Sequence, residues 1–179
     1  MRINFEITKT AEDESMYNIE TTAIIEPVTE SNIHKAAYIH AESWKESHKS
    51  FVSQQALEKR TIERQTEYLR QQIKDGKKVY MLTDDIPVGI VSVKDNLIEN
   101  LYVLPERFRK GYGSKLLNFA IDKCADTPTL TVLNNNSAIE MYRKYGFKET
   151  GRIIPLNENL WEIEMKLERE YENNGSRLW

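Results

Sequence analysis

The sequence holds a single cysteine, Cys124, which excludes an internal disulfide and suits a reducing compartment. With only three histidines beside it, no Cys/His cluster points to a bound metal. Five prolines and seven glycines build no low-complexity linker, and no internal repeat is visible. No apolar run reaches membrane-spanning length, and the opening MRINFEITKT lacks a basic-then-apolar signal pattern. The expected location is therefore the cytoplasm, with no membrane partner. A formal charge of −3 gives no reason to expect a general nucleic-acid binder.

What is present fits one soluble domain. Its 179 residues are 40% hydrophobic and 30% charged, enough for a real core. Residues 1–21 are polar and acidic around Glu12 to Glu14 and read as an N-terminal extension with a weak strand start at Ile3, Phe5 and Ile7. Thr22 to Pro27 is a β-rich run, and Thr29 offers an N-cap for a helix with Ile33, Ala36, Ala37, Ala41 and Trp44 on its apolar face. Gln54 to Asp75 is a charged helical region, broken near Lys59 and stopped by Gly76, with Leu57, Ile62, Leu69 and Ile73 facing inward.

A meander of three antiparallel strands follows: Lys78 to Thr83, Val88 to Val93, and Leu97 to Leu104. Next come a helix with Leu116, Leu117, Ala120, Ile121 and Cys124 on one face, and a strand from Leu130 to Leu133. A crossover helix implies that its two flanking strands run parallel. A helix from Ser137 to Tyr145 and strands Phe147 to Ile153 and Leu160 to Leu167 complete the order. The chain is expected to be a single mixed α/β (α+β-like) domain spanning 1–179, with 168–179 as a charged tail. That C-terminal strand and tail offer an edge on which a homodimer could pair.

Two stretches carry chemistry. In NLYVLPERFRKGYGSKLL, a strand leads through Arg109-Lys110-Gly111-Tyr112-Gly113-Ser114 straight into a helix. The open N–H groups and positive dipole end of that helix suit an anion, and the glycines let backbone approach it. The turn is not a Walker A loop, since no Gly-Lys-Ser/Thr follows, and it lacks the third glycine of a dinucleotide fingerprint. The second stretch, from Leu133 to Phe147, contains Asn-x-x-Ala-x-x-x-Tyr-x-x-x-Gly-Phe. Together the two closely resemble the GCN5-related N-acetyltransferase (GNAT) family, in element order over roughly residues 22 to 167.

The resemblance implies a central, mostly antiparallel sheet of about seven strands, two of them parallel and splayed, flanked by helices. It implies acetyl-CoA as co-substrate and direct attack on the thioester, in a ternary complex, by a primary amine of a small molecule or peptide. The backbone of Leu101, Tyr102 and Val103 would hold the pantetheine arm, and the amides of Arg109, Lys110, Gly111, Tyr112, Gly113 and Ser114 the pyrophosphate. Asn135 matches the motif asparagine that contacts the arm, and Tyr142 the tyrosine that protonates the leaving thiolate. Glu99 is the candidate base or proton relay; strand alternation places it with Leu101 and Val103, opposite Ile98, Asn100 and Tyr102. Trp44, His48 and Phe51 are candidate acceptor contacts, and Cys124 reads as a small core residue. One departure is Phe108, where the family usually has Gln or Arg; Arg109 supplies charge one position later. The alternative reading is a non-catalytic acyl-CoA-binding or regulatory module on the same fold.

Overall fold

The computed structural model describes residues 23–168. The expected N-terminal extension, its strand start and the tail from residue 169 onward lie outside the described residues. The first half comprises β1 (Ile24–Pro27), α1 (Ile33–His48), α2 (Gln54–Glu58), α3 (Ile62–Lys74), β2 (Lys78–Thr83) and β3 (Pro87–Lys94). The second comprises β4 (Leu97–Val103), α4 (Tyr112–Lys123), β5 (Thr129–Leu133), α5 (Ala138–Lys144), β6 (Phe147–Asn157) and β7 (Leu160–Leu167), with a 3-10 turn at Pro105–Arg107.

The helical region breaks where Lys59 and Arg60 interrupt it, because two hydroxyl caps start separate helices. Ser53 accepts from the Ala56 amide at 3.2 Å ahead of α2, and Thr61 from the Arg64 amide at 3.3 Å ahead of α3. Two local expectations need correction. The Thr29 hydroxyl pairs with Ser31 rather than capping α1, which starts at Ile33 after a turn of residues 30–32. Ile62, read as inward, is 36% exposed, because it sits at the first turn of α3 while Gln65, Thr66 and Leu69 take the buried stripe.

One seven-stranded sheet has the order β1-β2-β3-β4-β5-β7-β6. Every neighbouring pair is antiparallel except β4–β5, which α4 connects as a crossover. One core lies between the sheet and α4 and α5, around Val91, Val93, Leu116, Leu117, Leu130 and Met165. The other lies under α1 and α3, around Ile33, Ile39, Leu69, Met81 and Ile90. Each fully buried leucine or isoleucine contributes about 1.5–3 kcal/mol relative to exposure, so both helix layers are firmly seated. At Gly89 a Cβ would stand 2.7 Å from Leu116 Cδ1 and 2.9 Å from the Tyr102 carbonyl oxygen. Glycine there is what lets α4 press onto the strand beside β4.

Candidate active site

The site begins where the parallel pair comes apart. Strands β4 and β5 are in register only at Leu97 with Thr129 and Ile98 with Leu130. Beyond Ile98 the facing edges of residues 99–103 and 131–133 share no ladder. The cause is a β-bulge: Ile90 pairs with Tyr102 but Ser92 with Glu99, so Asn100 and Leu101 both stand opposite Val91. Asn100 adopts φ 50°, a conformation asparagine tolerates better than most residues.

The bulge overturns the simple alternation expected for β4. Leu101 and Val103 do share a face, but with Ile98, toward α4. Glu99, still in register with Ser92 before the bulge, lies on the α1/α3 side, and past the bulge Tyr102 falls on that side too, packing in the second core. There its carboxylate forms an ion pair with Lys77, whose side chain is 9% exposed.

Side chains hold the bulge in place. Asn100 Nδ2 donates to Ser92 Oγ at 3.1 Å, and Ser92 Oγ donates to the Glu99 carbonyl at 3.0 Å. On its other side Asn100 Oδ1 lies 3.4 Å from His40 Nε2, which donates to it. His40 is 2% exposed between the rings of Tyr68 and Tyr102. Burial lowers its pKa to about 4. Ser43 Oγ donates to the Val103 carbonyl at 2.9 Å, so α1 is tied to β4 at two points.

The splay opens a cleft of about 170 Å³ lined by Trp44, Ser47, His48, Ile98, Glu99, Asn100, Leu101, Tyr102, residues 130–133, Asn136, Tyr142 and Glu162. Six sequence-selected residues thus converge: Trp44, His48, Glu99, Leu101, Tyr102 and Tyr142. Phe51 is outside the lining, with its ring 6.1 Å edge-on to that of His48. Val103 is just past the cleft, its carbonyl engaged by Ser43. A larger hollow of about 350 Å³ lies between α1, α2 and Pro105-Glu106, away from the splay.

Tyr142 is 6% exposed, with its ring 6.0 Å edge-on to Phe147. Its hydroxyl has no hydrogen-bond partner among the described residues, and burial pushes its pKa up to about 12. The phenol therefore stays protonated through the physiological range and is available as a donor to whatever enters the cleft.

His48 stacks on Trp44, with centroids 4.0 Å apart and planes at 13°. The opposite side of this aromatic wall carries Arg60, whose guanidinium carbon lies 3.9 Å from the Trp44 centroid. Burial first, and then the Arg60 charge, lower the His48 pKa below its ordinary 6.5.

Three consecutive asparagines divide the work at the end of β5. The Asn134 amide donates to the Trp161 carbonyl at 3.0 Å, tying β5 to β7. Asn135 is exposed and outside the cleft lining. Asn136 lines it, and its Oδ1 accepts from the Ala138 amide at 2.9 Å, fixing the start of α5. Sequence reasoning passed over Asn136, although an asparagine just ahead of a helix is a common cap. It also passed over Glu162, a half-buried carboxylate of β7 with no hydrogen-bond or ion-pair partner among the described residues.

The turn before α4 has the shape of an anion cradle. Arg109 has φ 65° and Gly111 φ 81°, and Gly111 is the N-cap of α4. Left-handed residues spaced this way turn successive N–H groups to one side. The first helical bond closes from the Lys115 amide to the Gly111 carbonyl at 3.0 Å. Among the described residues, the amides of Arg109, Lys110, Gly111, Tyr112, Gly113 and Ser114 have no acceptor. Phe108, Arg109 and Lys110 are exposed there. Tyr112 is anchored by its hydroxyl to Asp84 at 2.5 Å. Met141 Sδ lies 3.4 Å from where a Cβ on Gly113 would stand, so the cradle abuts α5 one residue from Tyr142. Cys124, at the far end of α4, is partly buried with its thiol donating to the Ala120 carbonyl at 3.3 Å; burial raises its pKa.

Comparison with known proteins agrees with this geometry. Several solved structures share the fold at low sequence identity. The PaiA N-acetyltransferase of Thermoplasma acidophilum, solved with coenzyme A, is 21% identical with TM-score 0.61, covering 81% of this chain and 99% of that one. YncA of Salmonella typhimurium, a putative acetyltransferase solved with acetyl-CoA, is 16% identical with TM-score 0.61, covering 87% and 99%. A GNAT-family acetyltransferase of Bacillus cereus reaches TM-score 0.64 at 16% identity, covering 83% and 98%. Among curated proteins, the UPF0157 protein YqkA of Bacillus subtilis is 36% identical over 69 residues, which is 35% of this chain. The chain spans only 20% of that protein's length. The acetyltransferase (GNAT) domain model matches residues 41–169, and the chain belongs to the GNAT family.

Proposed function

We propose that this protein is an acetyl-CoA-dependent N-acetyltransferase acting on a primary amine of a small molecule or peptide. The observation that carries the reading is the junction of three features at one end of the sheet. They are a splayed β4/β5 pair, an α4 N-terminus with open amides, and a protonated phenol at the cleft wall. An extended thioester arm fits the unladdered edges of the splay, and a pyrophosphate fits the convergent amides of Arg109 to Ser114. The donor set suits the group without requiring a particular side chain at Phe108; Arg109 and Lys110 add charge beside it. Acetyl-CoA supplies an activated acyl group.

The chain's residues then have separable tasks. Backbone of β4 at Leu101 and Tyr102 holds the arm, and an amide of this bulged segment faces the developing oxyanion. Tyr142 donates toward the departing sulfur. Glu99 lines the acceptor side with Lys77 on one of its oxygens. Glu162, with no partner, makes that side negative and favours a cationic acceptor, in keeping with the overall charge of −3.

Thermal unfolding with acetyl-CoA, CoA and ATP tests the ligand. A ligand at a hundred times its Kd adds about 2.7 kcal/mol of apparent stability, expected for the first two and not for ATP. Thiol release from acetyl-CoA with a panel of primary amines tests the chemistry. Binding with no thiol release on any amine would instead favour the non-catalytic acyl-CoA module.

A further inference from the structure

The cleft contains a nitrogen base whose protonation state is set by its surroundings. His48 Nδ1 lies 2.9 Å from the Trp44 carbonyl and 2.8 Å from Ser47 Oγ. A carbonyl can only accept, so Nδ1 must carry the hydrogen. Ser47 Oγ donates its own proton to the same carbonyl at 3.0 Å, which leaves it a lone pair for Nδ1–H as well. The opposite tautomer would set two lone pairs against each other at 2.9 Å. Neutral His48 therefore presents an unprotonated Nε2, and this nitrogen is neither hydrogen-bonded nor sealed from solvent among the described residues.

We propose that His48 Nε2 is the general base that takes the proton from the acceptor's ammonium group. This rests on the acetyltransferase reading above. The groups around it agree. On its own helix, Lys45 and Lys49 are paired with Glu42 and Glu46, and Trp44 covers one ring face. From the segment before α3, Arg60 disfavours the imidazolium. Glu99 and Tyr102 of β4, Tyr142 of α5 and Glu162 of β7 share the cleft. Glu99 is engaged by Lys77, and the buried phenols hold their protons. Of the cleft's side chains, an imidazole is the one whose class titrates nearest neutrality, which suits a base.

The step balances. Nε2 takes one proton from R–NH3+, and the freed nitrogen pair forms the N–C bond to the acyl carbon. The C–S bond breaks with its pair on sulfur, which takes the Tyr142 proton. Tyr142 recovers a proton from the acylated nitrogen, and the His48 imidazolium releases its own to water. The products are an amide, a thiol and one proton.

The test uses the full chain, acetyl-CoA and an amine found active in the panel. The kcat/KM profile of the native protein should show an acid limb with an apparent pKa below 6.5. His48→Gln should lower kcat/KM by about 10²–10³-fold and abolish that limb, while keeping the thermal shift with acetyl-CoA. Long-range 1H–15N spectra of the unaltered protein should show His48 as the Nδ1–H tautomer; this arm holds even if the variant folds poorly. An Nε2–H tautomer, or His48→Gln with the rate and acid limb intact, would overturn the proposal while leaving an acetyltransferase. No amine-dependent thiol release from the unaltered protein would overturn the acetyltransferase reading, and the base with it.

Discussion

Removing the Tyr142 hydroxyl breaks no hydrogen bond among the described residues, since the phenol reaches into the cleft rather than into the fold. Tyr142→Phe should therefore fold normally and bind acetyl-CoA with near-native affinity, while kcat falls by about 10²-fold or more. Equal losses in kcat and in acetyl-CoA affinity would argue against a donor role. His40 is the residue-scale counterpart for stability. Its pKa is about 4 in the fold, against an ordinary value of 6.5. Between these values the unfolded chain binds a proton that the folded chain refuses, so stability falls as pH drops through that window. The full shift corresponds to roughly 3 kcal/mol, and about 2 kcal/mol of it is lost by pH 5. Urea unfolding at pH 7 and pH 5 should show this decrement, and His40→Gln should remove most of it. A variant that kept the full pH dependence would assign the effect to another group.

At the scale of elements, the bulge in β4 does two things at once. It ends the ladder with β5, opening the cleft, and it turns Leu101 and Val103 to the α4 side, away from the face where Glu99 meets Lys77. Asn100 is suited to this place because it accepts φ 50° and bonds on both sides, to Ser92 and His40. Valine does neither. Asn100→Val should cost about 2–4 kcal/mol, from strain and lost hydrogen bonds together. Asn100→Gly, which keeps the backbone geometry, should cost less. Chemical denaturation of the two variants checks the order; equal losses would show that the side-chain bonds, not the backbone angle, hold the bulge.

Taken as a whole, the molecule sets an exposed basic turn at Arg109 and Lys110 beside a cleft that contains the unpaired Glu162. On the proposed reading the two fields suit different ligands: an anionic carrier at the turn and a cationic acceptor in the cleft. Glu162→Gln should raise KM for cationic amines several-fold with little change in kcat, and the difference should shrink at high salt as screening grows. Steady-state kinetics at two ionic strengths decide it, and a KM unchanged at low salt would remove Glu162 from acceptor recognition. Among the described residues no helix is long and apolar enough to cross a membrane.

Local information was enough for much of this. Hydrophobic periodicity and turn residues placed nearly every described element, because burial of alternating or helical stripes is a property of short windows. The crossover through α4 announced the parallel pair, and Gly111 announced the cradle, since only backbone freedom within that turn was needed. The motif tyrosine, Tyr142, came with its helix. Other features depended on partners distant in sequence. Nothing within Leu97 to Val103 reveals that Asn100 will bulge, because His40 lies 60 positions before it. The same blindness grouped Leu101 and Val103 with Glu99, whose partner Lys77 comes from the turn between α3 and β2. Which of three adjacent asparagines faces the cleft was decided by the geometry joining β5 to α5. His48 was legible as a titratable residue near an aromatic stripe. Its tautomer depends on the backbone carbonyl one helical turn earlier, and its place in one cleft with Tyr142 and Glu162 on packing that only the folded chain creates.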